Sequence, residues 1–136
     1  MTRREAREEV LRLLFETEFR RDESFEEIFS TSVENREISD DDFVKRAYFT
    51  ACEKRGEIDA LIGNHSNGWK TNRMTNVSRS VLRLCVYEML FENDIPYSVS
   101  INEAVELAKK YDDEKARPFI NGVLNSVKNE LEAEKG

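Results

Sequence analysis

The sequence is short of the residues that interrupt a chain. It holds five glycines and two prolines in 136 residues, a composition that suits helices better than a succession of tight turns. It has one histidine, His65, and two cysteines, Cys52 and Cys85, set far apart with no second Cys or His at ligand spacing. A zinc or His-based metal site would therefore have to be built almost wholly from carboxylates, and both cysteines read as buried, reduced thiols. No apolar run approaches the roughly 18 residues that a membrane span needs. The opening MTRREAREEV lacks the apolar core of a signal peptide, so the expected location is cytoplasmic, with no membrane. There is no strand-like alternation, no repeat, no glycine-rich phosphate loop and no Ser/His/Asp set. A reaction needs a positioned nucleophile or a tuned acid–base pair. The expectation is a binding protein and not an enzyme.

What is present is charge, at 36% of residues against 39% hydrophobic, with a net charge of −7. That surplus is local. Between positions 22 and 42 lie nine acids against the single base Arg36, whereas residues 63–87 contain no acid and carry Lys70, Arg73, Arg79 and Arg83. Segregated charge sets up an attractive field for anions even in an acidic protein.

The stretch at residues 77–91, VSRSVLRLCVYEMLF, places Val81, Leu82, Leu84, Cys85, Val86, Met89, Leu90 and Phe91 around almost the whole circumference of a helix. A helix without a polar face needs neighbours on every side. The sequence thus predicts an all-α domain with this helix at its centre and Thr75 or Asn76 as its cap. Arg83, inside so apolar a helix, is expected to pair with an internal carboxylate, and Arg79 to face outward.

Thr2 with Glu5 forms a capping box opening a helix that runs to about Phe19, with Ala6, Val10, Leu13, Leu14 and Thr17 on its core stripe. A helix N-terminus favours acids, yet Arg3, Arg4 and Arg7 crowd this one. Free backbone N–H groups, the dipole and three guanidiniums together suit a phosphate. Glu8 and Glu9 offer the plainer alternative of neutralising the arginines. Phe15 returns to nearly the azimuth of Arg4, and also fits the edge of the core stripe.

Ser24 with Glu27, Ser39 and Ser100 with Glu103 predict three more helix starts. Residues 41–63 form one long amphipathic helix tolerating Gly56, or two broken there. Asp40, Asp41 and Asp42 complement a helix dipole better than they build a metal site. Trp69 lies among basic and amide side chains in a turn-rich stretch, as a plug between helices or a stacking platform. Pro96 ends the central helix, Pro118 suits the first position of a last helix, Gly122 suggests a close helix crossing, and residues 129–136 should fray.

Read together, REAREEVLRLLFETEF, VSRSVLRLCVYEML, DIPYSVSINEAVELAKKY and FINGVLNSV resemble the NusB family of bacterial transcription antitermination factors. The likeness spans nearly the whole chain and is weakest at residues 22–66. It implies a compact all-helical domain of about seven helices, two small bundles packed across each other, as a single RNA-binding domain over residues 1–136. It implies binding of single-stranded boxA RNA of nascent ribosomal transcripts, together with the ribosomal protein NusE, in a complex on RNA polymerase, with no cofactor. The RNA-binding positions it implies are Arg3, Arg4, Arg7, Phe15, Ser78, Arg79, Tyr111 and Phe119. Glu5 and Ser78 depart from the family pattern, which often has arginine at the first and an acid at the second. The alternatives are a helical protein–protein adaptor without RNA specificity and a detached NusB-like domain of an RNA methyltransferase. The sequence leaves open whether the free protein is a monomer or a homodimer that hides its arginines.

Overall fold

A computed structural model of the chain describes residues 1–66 and 74–135. Seven helices are present among them: α1 (Arg3–Thr17), α2 (Phe25–Glu34), α3 (Asp42–Glu53), α4 (Arg55–Asn64), α5 (Asn76–Phe91), α6 (Tyr97–Tyr111) and α7 (Ala116–Lys135). Trp69, Lys70 and Arg73 lie outside the described residues.

The central-helix expectation holds. Every residue of α5 from 78 to 89 is buried, and α5 packs against α1, α3, α4, α6 and α7. Helices α1, α2 and α3 pack on one another, as do α6 and α7. Thr75 is its cap, accepting from the Ser78 N–H at 3.0 Å. The stripe Ala6, Val10, Leu13, Leu14 and Thr17 is buried, and Thr17 and Tyr48 join α1 to α3 through a buried hydroxyl pair 2.8 Å apart.

Local signals placed three helix starts and misplaced three. The capping boxes of Thr2 with Glu5 and of Ser24 with Glu27 both form. Ser39 does not cap α3. Asp41 does, accepting from the Phe43 and Val44 N–H groups, while Ser39 donates its N–H and hydroxyl to Glu9. Ser100 and Glu103 form no capping box either, because α6 begins a turn earlier behind Pro96. Pro118 sits inside the first turn of α7 rather than at its first residue. The long amphipathic segment is two helices, divided at Lys54.

Gly122 serves no close crossing, since a Cβ there meets nothing within 4 Å. The expected frayed tail is helical through Lys135, with Leu131 buried. His65 is the C-cap residue of α4 and pairs with Ser126 at 2.6 Å and Glu130 at 3.0 Å on α7. Both cysteines are free and buried. Burial pushes the Cys52 thiol up to about 12 and that of Cys85 well above the usual value, so neither is a ready nucleophile. Among the described residues no helix is long and apolar enough to cross a membrane.

Candidate nucleic-acid interface

The three arginines of α1 separate into two environments. Arg3 is exposed and lays its guanidinium 4.1 Å from the centre of the Phe43 ring. Arg4 is exposed and donates Nε and Nη2 to Glu103 at 3.1 and 2.9 Å. The hydrogen bonds from Arg4, aided by its charge, hold the Glu103 carboxyl below its usual value. Arg7 is different. It is 5% exposed and donates Nε and Nη2 to Glu88 at 2.7 and 2.9 Å, inside the core. Glu88 also accepts from the Ser100 hydroxyl at 2.9 Å. The acids expected to neutralise the trio are used elsewhere, Glu8 on Lys110 and Glu9 on Ser39.

A groove of about 590 Å3 runs along the outer face of α1. Leu11 and Phe15 of α1, Val77 of α5 and Tyr111 of α6 give it an apolar lining. The tertiary fold thereby brings together two aromatic residues 96 positions apart in the sequence. The groove depends on the join between the start of α5 and the end of α6, where the buried Ser78 hydroxyl donates to Asp112 at 2.5 Å. Tyr111 is 47% exposed. The Phe15 ring lies 5.1 Å from that of Phe19, itself 64% exposed. Phe119 packs half-buried against the core from α7.

Arg79 does not face outward. It is buried, donating Nε to Glu18 at 3.1 Å and Nη1 to the Met74 carbonyl at 3.0 Å, with Asn76 as a further partner. Arg83 pairs internally, as its apolar surroundings required, with Asp59 at 2.8 Å through both prongs and with Glu18. Arg55 adds a longer contact to Glu18 at 3.4 Å. Burial alone would raise the Glu18 carboxyl; Arg83, Arg79 and Arg55 more than offset it and leave it below the usual value. This cluster stitches α1, α4 and α5 together. Glu18 was not singled out in the sequence, although two arginines within an apolar helix were signal enough that buried carboxylates had to meet them.

Of the eight implied RNA positions, then, Arg3, Arg4, Phe15 and Tyr111 lie at or near the surface around α1, and Phe119 lies apart from them, half-buried on α7. Ser78, Arg7 and Arg79 lie beneath it, holding the surrounding helices in register.

Residues 4–129 match the model of the NusB family. The chain belongs to the NusB family. It is 43% identical over 131 residues to the transcription antitermination protein NusB of Bacillus pumilus, covering 96% of this chain and 98% of that one. The corresponding Bacillus subtilis protein is 39% identical over 132 residues, covering 97% and 98%. Among solved structures, NusB of T. maritima superposes with a TM-score of 0.82 at 41% identity, over 93% of this chain and 90% of that chain. A crystal structure of the antitermination factors NusB and NusE in complex with dsRNA matches at a TM-score of 0.80 and 34% identity, over 92% and 94%. The family resemblance and the all-α fold read from the sequence are thus both met.

Proposed function

We propose that this NusB-family protein is a transcription antitermination factor that binds boxA RNA of nascent ribosomal transcripts together with the ribosomal protein NusE. The observation that carries the reading is the near full-length likeness to a family member solved with NusE and RNA. Its activity is binding rather than catalysis. Arg3 and Arg4 in the first turn of α1, with Phe15 near its other end and Tyr111 of α6 lining the same groove, support the reading.

Single-stranded RNA is gripped by cations along its backbone and by aromatic planes under splayed bases, each stack worth about 1–3 kcal/mol. Arg3, Arg4 and their basic neighbours are few, so affinity is modest and falls with salt. A partner that adds contacts of its own multiplies such an affinity. In this reading Arg7, Ser78 and Arg79 serve RNA indirectly, as positioning residues for α1 and the groove.

The pairing of Arg4 with Glu103 at the surface and of Arg7 with Glu88 in the interior equally suits a helical adaptor that binds only protein. Fluorescence anisotropy separates the two, using a boxA-like strand and a scrambled control, each with and without NusE, at two salt concentrations. Sequence-selective, salt-sensitive binding strengthened by NusE is the expected result. Absence of selectivity in every condition leaves the adaptor.

A further inference from the structure

We propose, resting on the RNA reading above, that the groove beside α1 receives one unpaired RNA base by its amine-bearing edge. Glu8 and Glu37 then favour cytosine or adenine there over uracil.

The groove combines two features that point to different parts of a nucleotide. Its volume of about 590 Å3 falls within the range of small-ligand pockets, and its apolar lining of Leu11, Phe15, Val77 and Tyr111 suits a flat, weakly polar body. Its rim, however, is acidic, with Glu5, Glu8, Glu9 and Glu37 against the single cation Arg12. A phosphate in that opening meets like charge. A base does not, provided its edge offers donors.

The four carboxylates are not equivalent. Glu5 is committed to the Thr2 N–H at 2.8 Å, and Glu9 accepts from Ser39 through both oxygens. Glu8 gives Oε1 to Lys110 at 2.5 Å, which leaves its second oxygen as an acceptor. Among the described residues the Glu37 carboxylate makes a single ion pair, a distant one of 3.9 Å with Arg12. It is carried to the rim by a turn at Arg36, whose φ of 58° is a left-handed conformation that favours glycine. The chain turns back there through the Glu37 N–H, which donates to the Ser32 carbonyl at 2.9 Å. Two carboxylates with unused acceptors therefore face one aromatic-lined opening.

Cytosine and adenine present an exocyclic amine that a carboxylate accepts; uracil presents carbonyl oxygens on either side of one N–H. The backbone of the same nucleotide lies outside the opening, toward the exposed cations Arg12 and Lys110, whose side chains are 54% and 57% accessible.

The test is anisotropy with a boxA-like strand in which each adenine or cytosine is replaced in turn by the analogue lacking only its exocyclic amine. The chain is used unaltered and as Glu8→Ala with Glu37→Ala, with NusE present and melting curves recorded for both proteins. At one position, loss of the amine weakens binding to the unaltered protein about tenfold, and the double variant no longer distinguishes the two strands. Binding unaffected by every amine deletion overturns this inference and leaves the RNA reading standing, as does a double variant that binds all strands equally more tightly, since its rim then only repels phosphate. No RNA binding by either protein removes both.

Discussion

Arg7 and Glu88, 81 residues apart, meet as a two-pronged ion pair of 2.7 and 2.9 Å in the interior, with side chains 5% and 2% accessible. An arginine that local chemistry marks for a phosphate is thus held against the central helix. The same helix turn sends Arg4 to the surface, where it remains 64% accessible although paired with Glu103.

The two arginines should therefore part company on substitution. Removing one partner of a buried pair leaves the other charge uncompensated, at a cost of about 3–5 kcal/mol. Arg7→Ala is expected to lower the melting temperature sharply, and Arg4→Ala to leave it essentially unchanged. RNA affinity of the folded fraction should fall with Arg4→Ala. A stable Arg7→Ala protein with lost affinity would instead place Arg7 on the RNA.

Tyr111 is half exposed on the groove and has little packing to lose. If it stacks on a base, Tyr111→Ala weakens RNA binding by about tenfold, within the 1–3 kcal/mol of such a stack, with a similar melting temperature. Tyr111→Phe should retain the affinity. Equal binding by all three proteins would take Tyr111 out of the interface.

The Glu18 cluster predicts an acid limb in stability. Folded Glu18 titrates below the usual 4.5 because Arg83, Arg79 and Arg55 outweigh its burial. The unfolded chain has the ordinary value, so between the two it binds more protons than the folded one, and stability rises with pH there. The contribution is complete above about pH 5 and is lost as pH falls through the folded value. Glu103 and Glu92, also held low, carry the same sign. Melting temperatures should be level from about pH 7 to about pH 5 and fall below that. Glu18→Gln should be less stable at neutral pH and show a shallower acid limb; an unchanged limb would mean that other carboxylates dominate it.

Leu84 is 1% exposed within α5. Leu84→Ala is expected to destabilise by about 2–5 kcal/mol, the usual cost of a cavity in a packed core. Urea unfolding measures this directly, and a loss under about 1 kcal/mol would show that the core closes around the gap.

Much of the fold was legible from periodicity and caps. The apolar circumference of α5 required neighbours on all sides, and Thr2, Ser24 and Thr75 each mark the helix start they cap. The same kind of local signal misled at Ser100 and Glu103. Their spacing is that of a capping box, but the helix was already under way behind Pro96, which left both side chains to meet Glu88, Arg4 and Arg7. Arg79 misled for a related reason, since its place near a helix start says nothing about which carboxylate another helix brings to it.

The sequence by itself determined the all-α class, the core stripe of α1, the all-round burial of α5 and the family, because these depend on patterns spanning a few residues or on motifs kept in order. Only the tertiary structure decided which arginines are surface cations and which are internal struts. It alone brought Phe15 to Tyr111 across the ends of three helices, and aimed Glu8 and Glu37 at the same opening. An ion pair or a groove exists only where separate faces meet, and their meeting is set by how α1 and α6 pack on α5, which no local pattern encodes.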